Sequence, residues 1–213
     1  MSKSVYSLIL NDEVVDLIDK MARVNGISRS NMIEKILANA TGFETPEIRA
    51  TSVFDEIERL ISKSNSMRYM QQPSQYMASI MSYLDYRYNP AIKYSVELFR
   101  ESNHLGQLKV TLRTQNPILI NLMSDFYNLY SYLEKEHYNK NARFLFDGSK
   151  FTRLFNFPVV PITSKELAEK LTVYVKDFDL LLNTYFNALT NEKTLYYVME
   201  KKYIELKKGE IIL

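Results

Sequence analysis

The chain has no cysteine and no tryptophan, and only five glycines among its 213 residues. Without cysteine it cannot form disulfides, thiolate zinc sites or iron–sulfur clusters, and it has no thiol nucleophile. No run approaches the roughly 18 uncharged apolar residues of a membrane-spanning helix. The N-terminus also lacks the apolar stretch of about 7–15 residues that signal peptides contain. We therefore expect a soluble, cytoplasmic protein.

Residues that usually carry catalysis or bind metals are equally scarce. His104 and His137 are the only histidines, and two histidines without cysteine make a poor set of metal ligands. The sequence contains no nucleophile elbow and no glycine-rich phosphate loop. We accordingly expect no enzymatic activity, no catalytic residues, no bound metal and no cofactor.

The charge of the whole chain is nearly balanced. Lysine and arginine number 27 and aspartate and glutamate 25, which gives a formal net charge of +2. Chains that bulk electrostatics hold on nucleic acid usually show a larger excess of positive charge. Any binding to DNA must therefore depend on a local basic patch or on a shaped motif.

The first ten residues contain a short alternating pattern. Residues 5–10 predict a β-strand in which Tyr6, Leu8 and Leu10 form one face and Val5, Ser7 and Ile9 form the other. A lone strand is unstable because both of its edges are unpaired. We therefore expect two copies of this strand to pair about a two-fold axis, with Tyr6, Leu8 and Leu10 inside the dimer.

Two short helices are predicted to follow the strand. Asn11 is a helix-capping residue, and the apolar positions of the first helix repeat at helical spacing, at Val14, Leu17, Ile18 and Met21. Gly26 is placed to end this helix in the left-handed conformation, and Ser28 to cap a second one. That second helix would bury Ile33, Ile36 and Leu37 in the same dimer core.

This order of strand, helix, glycine turn and helix resembles the ribbon-helix-helix (Arc/MetJ/CopG-like) family of DNA-binding proteins. The resemblance covers about residues 3–42 and is strongest at the alternating strand, at residues 12–25 and at residues 26–33. It implies a two-stranded ribbon in the major groove of double-stranded DNA, with Val5, Ser7 and Ile9 against the base edges. It also implies phosphate contacts at the start of the second helix. Those contacts fall on Lys3, Ser28, Arg29 and Ser30.

The sequence departs from this family in two respects. Val5 and Ile9 cannot donate or accept hydrogen bonds, so they could touch only thymine methyl groups. Residues 1–45 carry five basic against six acidic side chains, a net charge of about −1 that opposes DNA binding. The module could read an AT-rich site through shape and methyl contacts, or bind weakly and rely on higher oligomers. The alternative is a dimerisation platform that binds a protein partner, in an antitoxin-like or scaffold-like role, without reading DNA.

The rest of the chain predicts a mainly helical domain. Apolar stripes predict helices that include residues 119–133 and 171–189, with further helices at residues 75–86 and 192–206. Residues 91–98 and 108–112 alternate between apolar and polar and favour an antiparallel hairpin. A helix that Asn89-Pro90 begins and Gly106 ends is the other interpretation of the first run.

One stretch of this region interleaves basic and aromatic side chains. Lys140, Arg143, Lys150 and Arg153 alternate with phenylalanines and a tyrosine, a pattern that suits a nucleic-acid or ligand surface. The other interpretation is a loop that its aromatic residues attach to the core.

The expected fold class is therefore mainly α with minor β. A ribbon-helix-helix module would occupy residues 1–43, a linker residues 44–50, and a mainly helical α+β domain for oligomerisation or for a ligand or protein partner residues 51–213. The expected function is sequence-specific binding of double-stranded DNA by a homodimer or higher oligomer. Transcriptional repression is the first role to expect, with plasmid or phage copy control or segregation next.

Overall fold

The computed structural model describes residues 5–41, 44–70, 74–189 and 192–207. The chain divides into two compact units, Met1–Arg49 and Ala50–Leu213. Among the described residues, none of the helices combines the length and the apolar character that crossing a membrane requires.

The N-terminal unit contains the two short helices that the sequence predicts. Helix α1 spans Asp12–Val24 and helix α2 spans Arg29–Thr41. The Asn11 side chain accepts a hydrogen bond from the Glu13 backbone N–H at 3.0 Å, which satisfies one free donor of the first turn of α1. Gly26 adopts a φ of +64° between the helices, a conformation that glycine reaches without strain. The predicted cap and the predicted glycine turn are both confirmed.

The predicted fold class is wrong at the N-terminus. The structure begins with helices, and residues 5–10 form no strand among the described residues. Tyr6, Leu8 and Leu10, which were expected inside a dimer core, are exposed. The physical reason is that a two-stranded ribbon needs a second strand for its backbone hydrogen bonds, and the described chain brings none to this segment.

The C-terminal unit is also less helical than expected, because it is built around a large sheet. Its described residues contain six strands where the sequence predicts minor β content: β1 Arg68–Met70, β2 Met77–Tyr83, β3 Ala91–Leu98, β4 Gly106–Leu112, β5 Arg143–Phe146 and β6 Lys150–Phe155. They form one antiparallel sheet in the order β1-β2-β3-β4-β6-β5. The helices are α3 Pro46–Ile61, α4 Pro117–His137, α5 Ser164–Ala188 and α6 Glu192–Leu206.

Several local predictions for this part of the chain are confirmed and two are wrong. Helices α4, α5 and α6 cover the predicted apolar stripes, and β3 and β4 form the predicted hairpin. Helix α3 begins at Pro46, within the stretch predicted as a linker. Residues 75–86 are not a helix but contain strand β2, where Ala78, Ile80 and Ser82 are buried.

The core lies between the helices and one face of the sheet. Residues at alternate positions of each strand turn toward α3, α4 and α5, as the two-residue period of a strand requires. Aromatic rings join the two layers: Tyr127 of α4 stacks on Phe151 of β6 at 5.0 Å between centroids, and Phe178 of α5 meets Tyr94 of β3 at 6.0 Å. Tyr203 of α6 reaches the same core beside Tyr130.

Candidate functional site

The N-terminal segment, residues 5–10, presents the residues that the sequence assigns to base contacts. Val5, Ser7 and Ile9 are all exposed. Two of these three side chains are apolar and offer no hydrogen bond to a base edge. Lys3, which was expected to contact a phosphate, lies outside the described residues.

The start of α2 holds the residues expected on phosphate. Ser28 acts as its cap, because the Ser28 Oγ accepts a hydrogen bond from the Asn31 N–H at 3.3 Å. Arg29 and Ser30 follow in the first turn and are exposed. A helix N-terminus presents backbone N–H groups and a partial positive charge, and it therefore favours an anion.

Arg29 is already engaged by an acidic residue of the neighbouring helix. Its Nε donates to Asp19 Oδ1 at 2.6 Å and its Nη2 to Asp19 Oδ2 at 2.5 Å, a two-point contact between α1 and α2. The hydrogen bond from Arg29 lowers the pKa of Asp19 below its usual value. The guanidinium side chain remains 55% exposed. The pair fixes the position of Arg29 and also neutralises part of its charge.

The N-terminal unit buries few apolar side chains and exposes many. Ile18, Ala22 and Met32 form its small core, with Ile33 and Ile36 partly buried against them. Leu37, which was expected in the dimer core with Ile33 and Ile36, is exposed instead, because α2 alone covers too little of the hairpin. Next to this core, α1 carries an exposed apolar stripe at helical spacing. It consists of Val14, Leu17, Met21 and Val24.

The predicted basic patch near the end of the sheet is only partly a surface. Lys140, Arg143 and Lys150 are exposed, but Arg153 is fully buried, so its assignment to a surface patch is wrong. The reason is the alternation of strand β6, which turns Arg153 toward the helices together with Phe151 and Phe155.

The buried Arg153 is held by an acidic partner from helix α4. Its Nε donates to Glu134 Oε1 at 2.9 Å and its Nη2 lies 2.7 Å from the same oxygen, while its Nη1 donates to the Leu154 carbonyl oxygen at 2.9 Å. The Tyr174 hydroxyl donates to the other oxygen of Glu134. Burial alone would lower the pKa of Arg153, but the interactions with Tyr174 and Glu134 outweigh it and raise that pKa.

Two further buried polar contacts lie in the same unit. Lys207 donates to Asp177 Oδ2 at 2.7 Å, and the Tyr94 hydroxyl donates to Asp179 Oδ1 at 2.8 Å. Burial raises the pKa of Asp179, although the hydrogen bonds from Tyr94 and Ser82 oppose that shift. These groups sit inside the core rather than in a cleft, so they organise the packing of α5 and offer no access to a substrate.

The two histidines each have a polar neighbour. His104 Nδ1 lies 3.1 Å from Asn156 Oδ1, and His137 Nε2 lies 3.0 Å from Glu200 Oε1. Across residues 5–41, 44–70, 74–189 and 192–207, no group of three or more histidine, aspartate and glutamate side chains is arranged to hold a metal ion.

Comparison of the chain with protein-family models, with curated proteins and with solved structures found no match. The fold of the C-terminal unit is an α+β class with helices on one face of an antiparallel sheet. Any inference about function therefore depends on the residues and their geometry.

Proposed function

We propose that this protein acts on double-stranded DNA as a homodimer or higher oligomer, with the N-terminal unit as the part that joins the copies. The observation that carries the proposal is the exposed apolar surface of that unit. The stripe on α1 and the N-terminal segment together leave most of its large apolar side chains in solvent. A unit of this size with so small a core is not expected to be stable alone.

A second copy would cover this surface and would also duplicate the possible DNA contacts. In a symmetric dimer each copy contributes one α2 N-terminus, so that Ser28, Arg29 and Ser30 occur twice about the two-fold axis. Two such anion-binding helix ends suit a duplex, whose phosphates also repeat on two strands. Ser7 supplies the one polar side chain among Val5, Ser7 and Ile9 for a base edge. The proposed role is transcriptional repression in the cytoplasm, with plasmid or phage copy control or segregation as its close variant.

The first test concerns assembly. Changing Leu17 and Met21 together to glutamine should shift the full chain from a dimer toward its 25.0 kDa monomer mass in sedimentation experiments. Burying each side chain contributes about 1.5–3 kcal/mol, so the dissociation constant should rise at least about 100-fold. Leu8→Asp, in the N-terminal segment, should act in the same direction.

The matched control for assembly is Val173→Gln. Val173 is also an exposed apolar residue of a helix, but it lies on α5 in the other unit. Its replacement should leave the mass unchanged. If the Leu17 and Met21 variant keeps the mass of the unaltered protein, the proposed role of the N-terminal unit in assembly is wrong.

The second test concerns DNA. Arg29→Ala should weaken binding to all duplexes alike and reduce the slope of log affinity against log salt by about 2 in a dimer, because each copy loses one phosphate contact. Ser7→Ala should instead relax the preference among sequences. Arg23→Ala, which removes an exposed arginine at the far end of α1, is the matched control and should leave the slope unchanged.

The platform for a protein partner is the second candidate function. The ion pair between Arg29 and Asp19 favours it, as do the apolar side chains of Val5 and Ile9. It would be supported by a stoichiometric protein partner whose binding is lost on Ile9→Lys. If the protein shifts no genomic DNA fragment in a mobility-shift experiment at low salt, the DNA proposal is contradicted. The protein-binding platform would then be the remaining candidate function.

A further inference from the structure

One face of the six-stranded sheet carries no helix of the C-terminal unit. The apolar residues at the helix-facing positions of the strands belong to a single core with α3, α4, α5 and α6. The side chains between those positions point the other way, because successive residues of a strand alternate between faces. Lys109, Arg143 and Lys150 on this outer face are exposed. Toward β4, β6 and β5 this face is therefore open to solvent, whereas Ser79 and Ser95, at outward positions of β2 and β3, are buried.

A row of positive charges crosses this outer face. The register places five residues side by side on five adjacent strands, in the order Arg68, Met81, Lys93, Thr111 and Lys150. Cations thus alternate with neutral residues. Because neighbouring strands lie about 4.8 Å apart, successive cations in the row are separated by about 10 Å. We call Arg68, Lys93 and Lys150 the cation row.

Two more cations lie on the same face, and they meet little negative charge. Lys109 pairs in register with Ser95 and Thr152, and Arg143 pairs with Leu154. Glu97 is the one acidic residue at an outward position of the described strands, and it already accepts from Gln107 at 2.6 Å and from Lys109 at 3.2 Å. The face therefore presents five cations against one acid.

Asp147, in the turn between β5 and β6, is an acidic residue beside the Lys150 end of the cation row. Its carboxylate accepts the backbone N–H of Lys150 at 2.9 Å and that of Ser149 at 3.2 Å. These hydrogen bonds lower the pKa of Asp147 and hold it in the turn. Its negative charge therefore lies beside Lys150, at one end of the cation row.

We propose that the outer face of the sheet binds the sugar–phosphate backbone of double-stranded DNA without reading its sequence. Charge complementarity supports this partner, since an extended row of spaced cations matches a regular polyanion. A single strand is less suitable because base stacking needs aromatic side chains. Tyr83, at the end of β2, is the only aromatic residue at an outward strand position in the described part of the sheet.

This inference adds a second DNA surface to the proposed function and rests on different residues from the N-terminal contacts. It also accounts for the unfavourable charge of the first 45 residues. Contacts from the N-terminal unit would determine where on the duplex the protein binds, while the sheet of the other unit would supply much of the electrostatic attraction.

The test replaces the cation row in the full-length protein. The variant Arg68→Gln/Lys93→Gln/Lys150→Gln should bind a random-sequence duplex at least about 10-fold more weakly at low salt, and its salt slope should fall by about 2–3 per chain. The control Lys63→Gln/Lys165→Gln/Lys201→Gln makes the same change of charge at exposed residues outside the sheet. It should change the affinity much less. Circular dichroism and sedimentation would verify that both variants remain folded and assembled.

The outcomes separate this proposal from the previous one. A loss in the row variant with no effect of Arg29→Ala supports the sheet face and overturns the N-terminal phosphate contact. The reverse result overturns the sheet face, as does equal weakening by the row variant and its control. Tighter binding of single strands than of duplex, or binding of anionic vesicles in place of duplex, would also overturn it.

Discussion

Replacing Arg153 by methionine should lower the free energy of unfolding of the C-terminal unit by about 3–5 kcal/mol. The guanidinium group is fully buried and makes its ion pair with Glu134, which is also fully buried. Methionine would leave the Glu134 carboxylate in the core with the Tyr174 hydroxyl as a remaining donor. An uncompensated charge in an apolar interior is costly, and the cost exceeds what the original pair contributed. Denaturant unfolding followed by tyrosine fluorescence would measure the loss.

Two further variants identify the cause of that loss. Arg143→Met removes an exposed arginine from the adjacent strand and should change stability by no more than about 0.5 kcal/mol. Combining Arg153→Met with Glu134→Leu should recover most of the loss, although the Tyr174 hydroxyl then lacks its acceptor. A double variant that is less stable than Arg153→Met alone would show that the pair itself, rather than the stranded charge, stabilises the fold.

Phe178→Ala should lower the free energy of unfolding by about 3–5 kcal/mol. The ring of Phe178 lies at the centre of the aromatic core, with centroid distances of 4.5 Å to Tyr130, 5.2 Å to Phe151, 5.4 Å to Phe126 and 6.0 Å to Tyr94. It therefore joins α5 to α4 and to strands β3 and β6. Alanine would remove all four contacts and leave a cavity that the surrounding rings cannot fill completely.

A graded pair of variants would test this assignment. Phe178→Leu retains part of the volume and should lose less stability than Phe178→Ala. Tyr197→Ala removes an exposed ring from α6 and should change the unfolding free energy by about 0.5 kcal/mol or less. If Phe178→Ala resembled Tyr197→Ala, the layers of this unit would not depend on that ring.

The sequence predicts helices α1, α2, α4, α5 and α6 well because these helices carry local signals. The Asn11 cap and the Gly26 turn fix the limits of α1, and the stripe on α5 extends over several turns. The β3–β4 hairpin is equally local, since its buried and exposed residues alternate and its strands are close in sequence.

The other strands could not be recognised from local pattern. In β2 the outward positions include Met77 and Met81, so the expected alternation of apolar and polar residues is absent. In β6 the pattern is inverted where Arg153 faces the core. Strands β4 and β6 also pair although the whole of α4 lies between them in the sequence. A pairing between such distant segments cannot be recognised from a short stretch of sequence.

Among the candidate site residues, too, those marked by local sequence signals could be predicted, and those brought together by long-range packing could not. Ser28, Arg29 and Ser30 could be located at the start of α2 because capping has a sequence signature. The partner of Arg29, ten residues earlier on α1, depends on how the two helices pack. The outer cation row was missed because it joins Arg68, Lys93 and Lys150 from three distant parts of the chain.

The two outermost strands of the sheet are also its shortest. Strand β1 has three residues and β5 has four. Few backbone N–H and C=O groups are therefore left along each border to recruit a strand from another molecule. Backbone-templated polymerisation, the common route from an open sheet to a fibril, is accordingly restricted in the C-terminal unit. In the proposed function several copies would gather on one DNA molecule, and this protection against aggregation would then act where their local concentration is high.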